Sequence, residues 1–271
     1  MGLPLKIVIA GCSGRMGQAL LTGVFEDGEF VLHGALDSPT SAALGRDAGE
    51  MLGKISKISI SADVEKAIQG ADVLVDFTRP EATMQYLAAC VKANAKLVIG
   101  TTGFTAEQKL EIEAAAKKIA IVFAPNMSVG VTLLINLVEQ AAKVLKDGFD
   151  IEVVEMHHKH KIDAPSGTAL RLGEAAAHGL GQDLKDCAVY AREGVTGERE
   201  TGKIGFATLR GGDVVGDHTV VFAGTGERVE LTHKASSRAT FALGALRAAK
   251  YLRVKTNGLF DMRDVLGLKS D

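Results

Sequence analysis

LKIVIAGCSGRMGQALLTGVFE, residues 5–26, decides how the chain is built. It opens on a nearly unbroken apolar run, which is what a strand buried on both faces requires. GCSGRMG (residues 11–17) then turns the chain, and RMGQALLTGVFE carries its apolar residues at helical spacing. A strand, a glycine turn and a helix in that order aim unpaired N–H groups and the positive end of the helix dipole at one point, where a pyrophosphate can sit. The spacing departs from G-x-G-x-x-G. Gly11 can make the turn and Gly14 or Gly17 can admit close approach, but Ser13 stands where the second glycine would be. Taken alone, the turn fits a ligand-free connection as well as a phosphate cradle. Asp37 closes the next apolar run 20 residues beyond Gly17, where a carboxylate can accept hydrogen bonds from ribose hydroxyls. No GK[ST] follows the turn, so a phosphate-hydrolysing loop is disfavoured and a nicotinamide dinucleotide is expected.

Working outward, apolar runs and amphipathic stretches alternate through residue 128: FVLHGAL, ADVEKAIQG, DVLVDFT, PEATMQYLAACVKANA, KLVIGTT, TAEQKLEIEAAAKKI and AIVFAPN. This predicts an α/β fold with a Rossmann-like, doubly wound parallel sheet. Ligands of such sheets lie beyond the carboxyl ends of the strands, here GCSGRMG, Asp37-Ser38, FTRPE (77–81), GTTGF (100–104) and APNMSVG (124–130). After the apolar helix VGVTLLINLVEQAAKVLK the pattern changes. DIEVVEMHH reads as a strand and SGTALRLGEAAAHGLG as a helix from Ser166. IGFATLRGG, DHTVVFAG and RVELTHKA read as a meander with glycine turns, giving a second, α+β domain with a mixed or antiparallel sheet. SRATFALGALRAAKYL and LFDMRDVLGL resemble the first half again. The expected organisation is 1–128 for the dinucleotide, 129–237 for substrate and assembly, and 238–271 returning to the first domain.

Composition limits the function classes. A net charge of -2 over 271 residues gives no reason to expect a nucleic-acid or membrane binder, so any cationic site must be local. Cys12, Cys90 and Cys187 are odd in number, widely spaced and without a CxxC, which disfavours a disulfide framework or structural zinc and fits a reducing cytoplasm. The N-terminal apolar run is far too short to span a bilayer.

The local cationic site is EMHHKHKIDAPSGTA (155–169), with three histidines and two lysines between His157 and Lys161. If that run is extended, His157, Lys159 and Lys161 share one face while His158 and His160 take the other, so the histidines do not converge on a metal. HExxH is absent too, and no metal is expected. A solvated charged edge is the bland alternative. Against it stands DAPSGTA: Ser166 is a natural N-cap, and the helix it opens offers Ser166, Gly167 and Thr168 as donors to an anion. Histidine and lysine beside a helix N-terminus suit a carboxylate substrate, proton donation near neutrality and stabilisation of negative charge.

At these residues the chain resembles the 4-hydroxy-tetrahydrodipicolinate reductase (dihydrodipicolinate reductase) family of lysine and diaminopimelate synthesis. The likeness runs in order through GCSGRMG, VDFTRPE, VIGTTGF, FAPNMSVGV, EMHHKHKIDAPSGTA, CAVYAREGVTGER, IGFATLRGGDVVGDHTV, THKASSRATFA and GLFDMRDVLGL, and EMHHKHKIDAPSGTA is its most specific part. The resemblance implies NAD(P)H-dependent reduction of a cyclic dicarboxylate. It implies His157 as proton donor and Lys161 as second catalytic residue, with His158, Ser166, Gly167 and Thr168 binding substrate carboxylates. For the cofactor it implies Gly11, Cys12, Ser13, Gly14, Arg15, Met16, Asp37, Gly100, Thr101, Thr102, Ala124, Pro125, Asn126 and Met127. Phe77 and Arg79, and later Arg238 and Phe241, fall near the nicotinamide end or the domain junction. A homotetramer is also implied. Asp37 followed by Ser38, where many members have an acidic residue followed by Arg, tilts the cofactor toward NADH, although Arg15 could reach a 2'-phosphate. Two other readings are an amino-acid dehydrogenase, which the HHKHKIDAPSG run disfavours, and a non-catalytic dinucleotide-sensing module.

Overall fold

The computed structural model describes residues 3–269. The chain divides into two compact units, one taking the residues up to Val129 and from Arg238 onward, the other Gly130–Ser237.

In the first unit, β1 (Leu5–Ala10), β2 (Phe30–Leu36), β3 (Ile60–Ser61), β4 (Val73–Asp76), β5 (Lys96–Ile99), β6 (Ala120–Phe123) and the late strand β12 (Gly258–Phe260) make one sheet. Its order is β12-β6-β5-β4-β1-β2-β3 and every pairing is parallel. Side-chain parity explains the three layers. Ile7, Ile9, Val73, Val75, Val98 and Val122 point into a core closed by α1 (Arg15–Glu26) and α8 (Ala239–Leu252). Their neighbours Val8, Leu74, Leu97, Ile99 and Ile121 point into a second core closed by α3 (Pro80–Ala93) and α4 (Ala106–Ala116). Each such side chain contributes about 1.5–3 kcal/mol by leaving water, so strands buried on both faces anchor the unit. The helices α2 (Val64–Ile68) and α9 (Met262–Leu266) are short, and Ile68 of α2 joins the second core while Met262 and Val265 of α9 join the first. Helix starts follow local chemistry: Pro80 occupies the first turn of α3 after Arg79, and Thr105 and Gln108 form a reciprocal capping box on α4. The edge strands β3 and β12, of two and three residues, are too short to leave a period in the sequence.

The second unit comprises α5 (Val129–Val144), β7 (Phe149–His157), α6 (Gly167–Leu180), α7 (Leu184–Cys187), β8 (Ala188–Val189), β9 (Ile204–Arg210), β10 (Gly216–Gly224) and β11 (Arg228–Ala235), with the first residue of α5, Val129, closing the N-terminal segment of the first unit. Its sheet has the order β11-β10-β7-β9-β8. The expected meander is only half present. β10 and β11 form an antiparallel hairpin, but β9 lies across β7 from β10 and runs parallel to β7. β7 is buried at alternate positions along its length and takes the centre, which leaves β9 and β10 no common edge. Ile151, Val153, Phe206, Val220 and Phe222 face Leu134 and Val138 of α5 and Leu172 and Ala176 of α6. On the opposite sheet face Val154, Met156 and Val221 are half-buried and Leu209 is exposed. Among the described residues no helix is long and apolar enough to cross a membrane.

Candidate active site

The inward face of the second sheet changes character along its length. On β7 the inward positions read Ile151, Val153, Glu155, His157; on β10 the positions paired with the first three read Phe222, Val220, His218, with Gly216 next along the strand; on β9 they read Ile204, Phe206, Thr208, Arg210. Three strands thus turn from apolar to polar at one level, and register places Glu155 opposite both His218 and Thr208, with His157 opposite Arg210.

Glu155 is the hub, at 1% exposure. Its Oε2 accepts the His157 Nδ1–H at 2.5 Å and an Arg210 Nη1–H at 2.9 Å. Its Oε1 accepts the other arm of the Arg210 fork at 2.9 Å and the Ser166 backbone N–H at 3.0 Å. Burial alone would raise this carboxyl, but Arg210, His157 and the Ser166 N–H outweigh it and hold it below the ordinary carboxylate range. An ionised carboxylate only accepts, so Nδ1 of His157 is the donor and Nε2 is the nitrogen left for chemistry. Gly216 keeps room there, since a Cβ on it would come within 3.0 Å of Nε2.

Two further histidines line this level. His218 packs edge-on against His157 at 5.0 Å between ring centres and hydrogen-bonds the Ser166 hydroxyl at 3.0 Å through Nε2, while its buried Nδ1 has no partner among the described residues. Burial, then the neighbouring His157, pushes its pKa down to about 4, so it stays neutral around pH 7. His233, paired with His218 across the hairpin, is also lowered by burial.

Ser166 caps α6, accepting the Ala169 N–H at 3.2 Å. Its hydroxyl and its N–H are both engaged inside the protein, unlike the outward donor that the sequence suggests. Gly167 and Thr168 follow as the first residues of the helix, where the dipole is most positive. The extended reading of 155–161 fails beyond His157. β9 ends at Arg210 and β10 begins at Gly216, so the ladder stops there; the His158 N–H donates to the Val214 carbonyl and the Lys161 N–H to the His158 carbonyl. Lys161 therefore reaches the site from a turn, its ammonium 2.8 Å from Asp163, whose carboxyl it holds below the ordinary range. His158 has a buried Nδ1 with no partner among the described residues, and its ring centre lies 6.1 Å from that of His160.

The residues expected at the cofactor all fall in the first unit, on loops at the carboxyl ends of β1, β2, β4, β5 and β6 or at the starts of α1 and α8. Gly11 turns with φ +65, and a Cβ on Gly17 would lie 2.2 Å from the Gly11 carbonyl oxygen, so α1 leaves the turn at the closest approach a backbone allows. Gly14 at the N-cap brings no side-chain hydrogen bond. The first N–H groups of α1 thus lack the side-chain cap they usually receive, a cradle that fits a pyrophosphate. Cys12 is buried, its thiol pushed up to about 12 by burial and by Asp37, which removes it as a nucleophile. Asp37 accepts the Ser13 N–H at 3.0 Å and the Ser38 N–H at 2.8 Å, fixing its carboxylate beside the turn. The Phe77 ring lies over Gly100, Arg79 is exposed at the head of α3, and Arg15 is exposed at the head of α1. In the 124–128 loop the Asn126 side chain accepts the Ser128 N–H, beside the start of α8 through Ser128 and Thr240.

Sequence reasoning missed Asp76. This fully buried carboxylate accepts hydroxyls from Thr78, Thr83 and Thr101 and the Thr78 N–H, and burial raises its pKa in spite of them. Thr101, expected at the cofactor, turns its hydroxyl into this network. Glu155, Arg210 and His218 were missed as well. Only Glu155 had a local signal, because it sits two residues before His157 on the same strand face.

The family models described as "Dihydrodipicolinate reductase, N-terminus" and "Dihydrodipicolinate reductase, C-terminus" match residues 5–127 and 130–266. The 4-hydroxy-tetrahydrodipicolinate reductase of Thiobacillus denitrificans is 60% identical over 267 residues, covering 98% of this chain and 100% of the relative. That of Burkholderia lata is 59% identical over 265 residues, at 98% and 100% coverage. Among solved structures, dipicolinate-bound dihydrodipicolinate reductase from Paenisporosarcina sp. TG-14 superposes with a TM-score of 0.76 at 25% identity, covering 96% of this chain and 98% of the other. The amine dehydrogenase of Mycobacterium smegmatis, at 13% identity, TM-score 0.58 and 94% coverage of each chain, shares the fold alone. With both halves matched along almost their whole length, the chain belongs to the dihydrodipicolinate reductase family.

Proposed function

We propose that this chain reduces 4-hydroxy-tetrahydrodipicolinate to tetrahydrodipicolinate and water in lysine and diaminopimelate synthesis. The observation that carries the reading is a carboxylate-oriented histidine beside a helix N-terminus, in a chain whose relatives bear that enzyme's name. In the net reaction one hydride and one proton enter and the ring hydroxyl leaves as water. NADH or NADPH, when bound, supplies the hydride. His157 delivers the proton from Nε2, the nitrogen that Glu155 leaves unengaged. Lys161 offsets negative charge that develops on the substrate, and its Asp163 partner keeps the ammonium in place until then. The substrate's carboxylates suit the N-terminus of α6 at Gly167 and Thr168, together with His158, whose buried Nδ1 is unpartnered among the described residues. Ser166 serves that grip through the cap that fixes the terminus.

For the cofactor, the pyrophosphate suits the Gly11–Met16 turn and the adenosine ribose suits Asp37. A fixed carboxylate followed by Ser38 disfavours a 2'-phosphate, so NADH is the better cofactor and Ser38→Arg gains NADPH affinity. The half-buried Val154, Met156 and Val221, which share their sheet face with Glu152, Asp217 and Thr219, suit assembly, the homotetramer of the family resemblance. Three buried free thiols suit a cytoplasmic setting. The test couples the preceding synthase, working on pyruvate and aspartate semialdehyde, to this protein and follows NADH and NADPH separately. Oxidation of neither overturns the proposal; binding of NADH without turnover would mark a dinucleotide-sensing protein instead.

A further inference from the structure

Glu155 has no surface to interact with and makes no contact that a substrate could share. At 1% exposure it spends its carboxylate on His157, on the Ser166 N–H and on both arms of Arg210. Arg210 in turn donates to the backbone carbonyls of Leu209 and Asp163, at 2.7 and 2.6 Å, so the fork cannot swing away from the carboxylate. A buried ion pair is weak as a stability device, and apolar residues of similar size commonly do as well or better. What apolar residues could not do is choose which nitrogen of His157 carries the proton. Without an acceptor at Nδ1 the ring is free to place its hydrogen on Nε2 and to rotate about its Cβ–Cγ bond. Nothing else in the described surroundings makes the choice: His218 meets the ring edge-on at 5.0 Å and gives its Nε2 to Ser166, and Lys161 is paired with Asp163.

We infer that Glu155, clamped by Arg210, is a positioning residue that fixes the ring of His157 and its Nδ1–H tautomer, making Nε2 the atom through which the proton is exchanged. Arg210 holds both oxygens of the carboxylate, one of which accepts the imidazole N–H, and ties the loop that carries Lys161 to the same point through the Asp163 carbonyl. One fork thus registers both proposed catalytic side chains. The kinetic consequence rests on the reductase reading; the tautomer does not.

The test reads both in the full-length protein. Glu155→Met removes the acceptor but strands Arg210 as a cation, so Glu155→Met/Arg210→Met is made alongside it to remove both charges. Histidine 15N spectra at about pH 8, above the ordinary histidine pKa, with His157 assigned by the signal lost in His157→Gln, report the tautomer with no substrate present. We expect the Nδ1–H form in the wild type and its loss in whichever of the two variants folds. In the coupled assay kcat falls on the order of 10- to 100-fold while KM moves by less than about threefold, because a general acid's contribution depends on its aim. An unchanged His157 tautomer in a folded variant, or wild-type kcat with the tautomer lost, overturns the inference. A wild type that shows the Nδ1–H tautomer but oxidises neither cofactor leaves the positioning intact and sinks the reductase assignment instead.

Discussion

His218 sits far from its solution chemistry. The folded protein binds its proton only near pH 4, whereas the unfolded chain takes it up near the ordinary 6.5. Stability contributed by keeping the ring neutral is complete above about pH 6.5 and is lost as pH falls toward 4, on the order of 3 kcal/mol at the bottom of that window. Urea unfolding across that range should therefore show a pH slope that His218→Leu flattens. At the proposed chemistry, His157→Gln and Lys161→Ala should each lower kcat on the order of 100-fold or more, as loss of a general acid or a charge stabiliser does. A His157→Gln protein with intact turnover would place the proton donor elsewhere. Residues were legible in the sequence where their signal is local: His157 and Ser166 stand out in EMHHKHKIDAPSGTA, whereas Glu155, on the same strand face two residues before His157, was overlooked although parity could have pointed to it. Arg210 lies 55 residues beyond Glu155, and only the register of β9 against β7 brings it there.

Elements show the same division between local and distant causes. The start of α6 was readable because an N-cap is a property of a few adjacent residues, and Ser166→Ala should cost about 1 kcal/mol of stability and raise KM by loosening the helix terminus. Thermal unfolding and substrate titration check the two halves of that statement. The turn before α1 was readable for the same reason, and its tolerance is narrow. Gly17→Ala puts a methyl 2.2 Å from the Gly11 oxygen, so α1 must retreat; NADH affinity should drop about tenfold or more and stability by about 1–3 kcal/mol. Fluorescence titration with NADH measures the first. What the sequence could not show was the order of β9, β7 and β10. Alternation marks each as a strand, yet a meander and a centrally placed β7 bury the same residues, and only the choice of neighbours separates them.

At the scale of the whole molecule, an α/β half followed by an α+β half was legible from the change in periodicity near residue 129, because buried parallel strands and half-exposed ones differ in pattern. The open face of the second sheet was not, since Val154, Met156 and Val221 look like ordinary strand residues until α5 and α6 are seen to cover the other side. If that face assembles four copies, light scattering gives a tetramer for the wild type and smaller species for Val154→Lys/Val221→Lys; a tetramer that survives both lysines assigns assembly to another surface. The first unit is built from both ends of the chain, and this gives its synthesis an order in time. The core beneath α1 is closed by Ala245, Leu246 and Leu252 of α8, which leave the ribosome more than 100 residues after β6. At about 5–20 residues per second that is a wait on the order of 10 s. During it the nascent first unit exposes an apolar sheet face while the contiguous second unit completes itself, so the unit begun first is finished last, and it is there that a chaperone would have to stand guard.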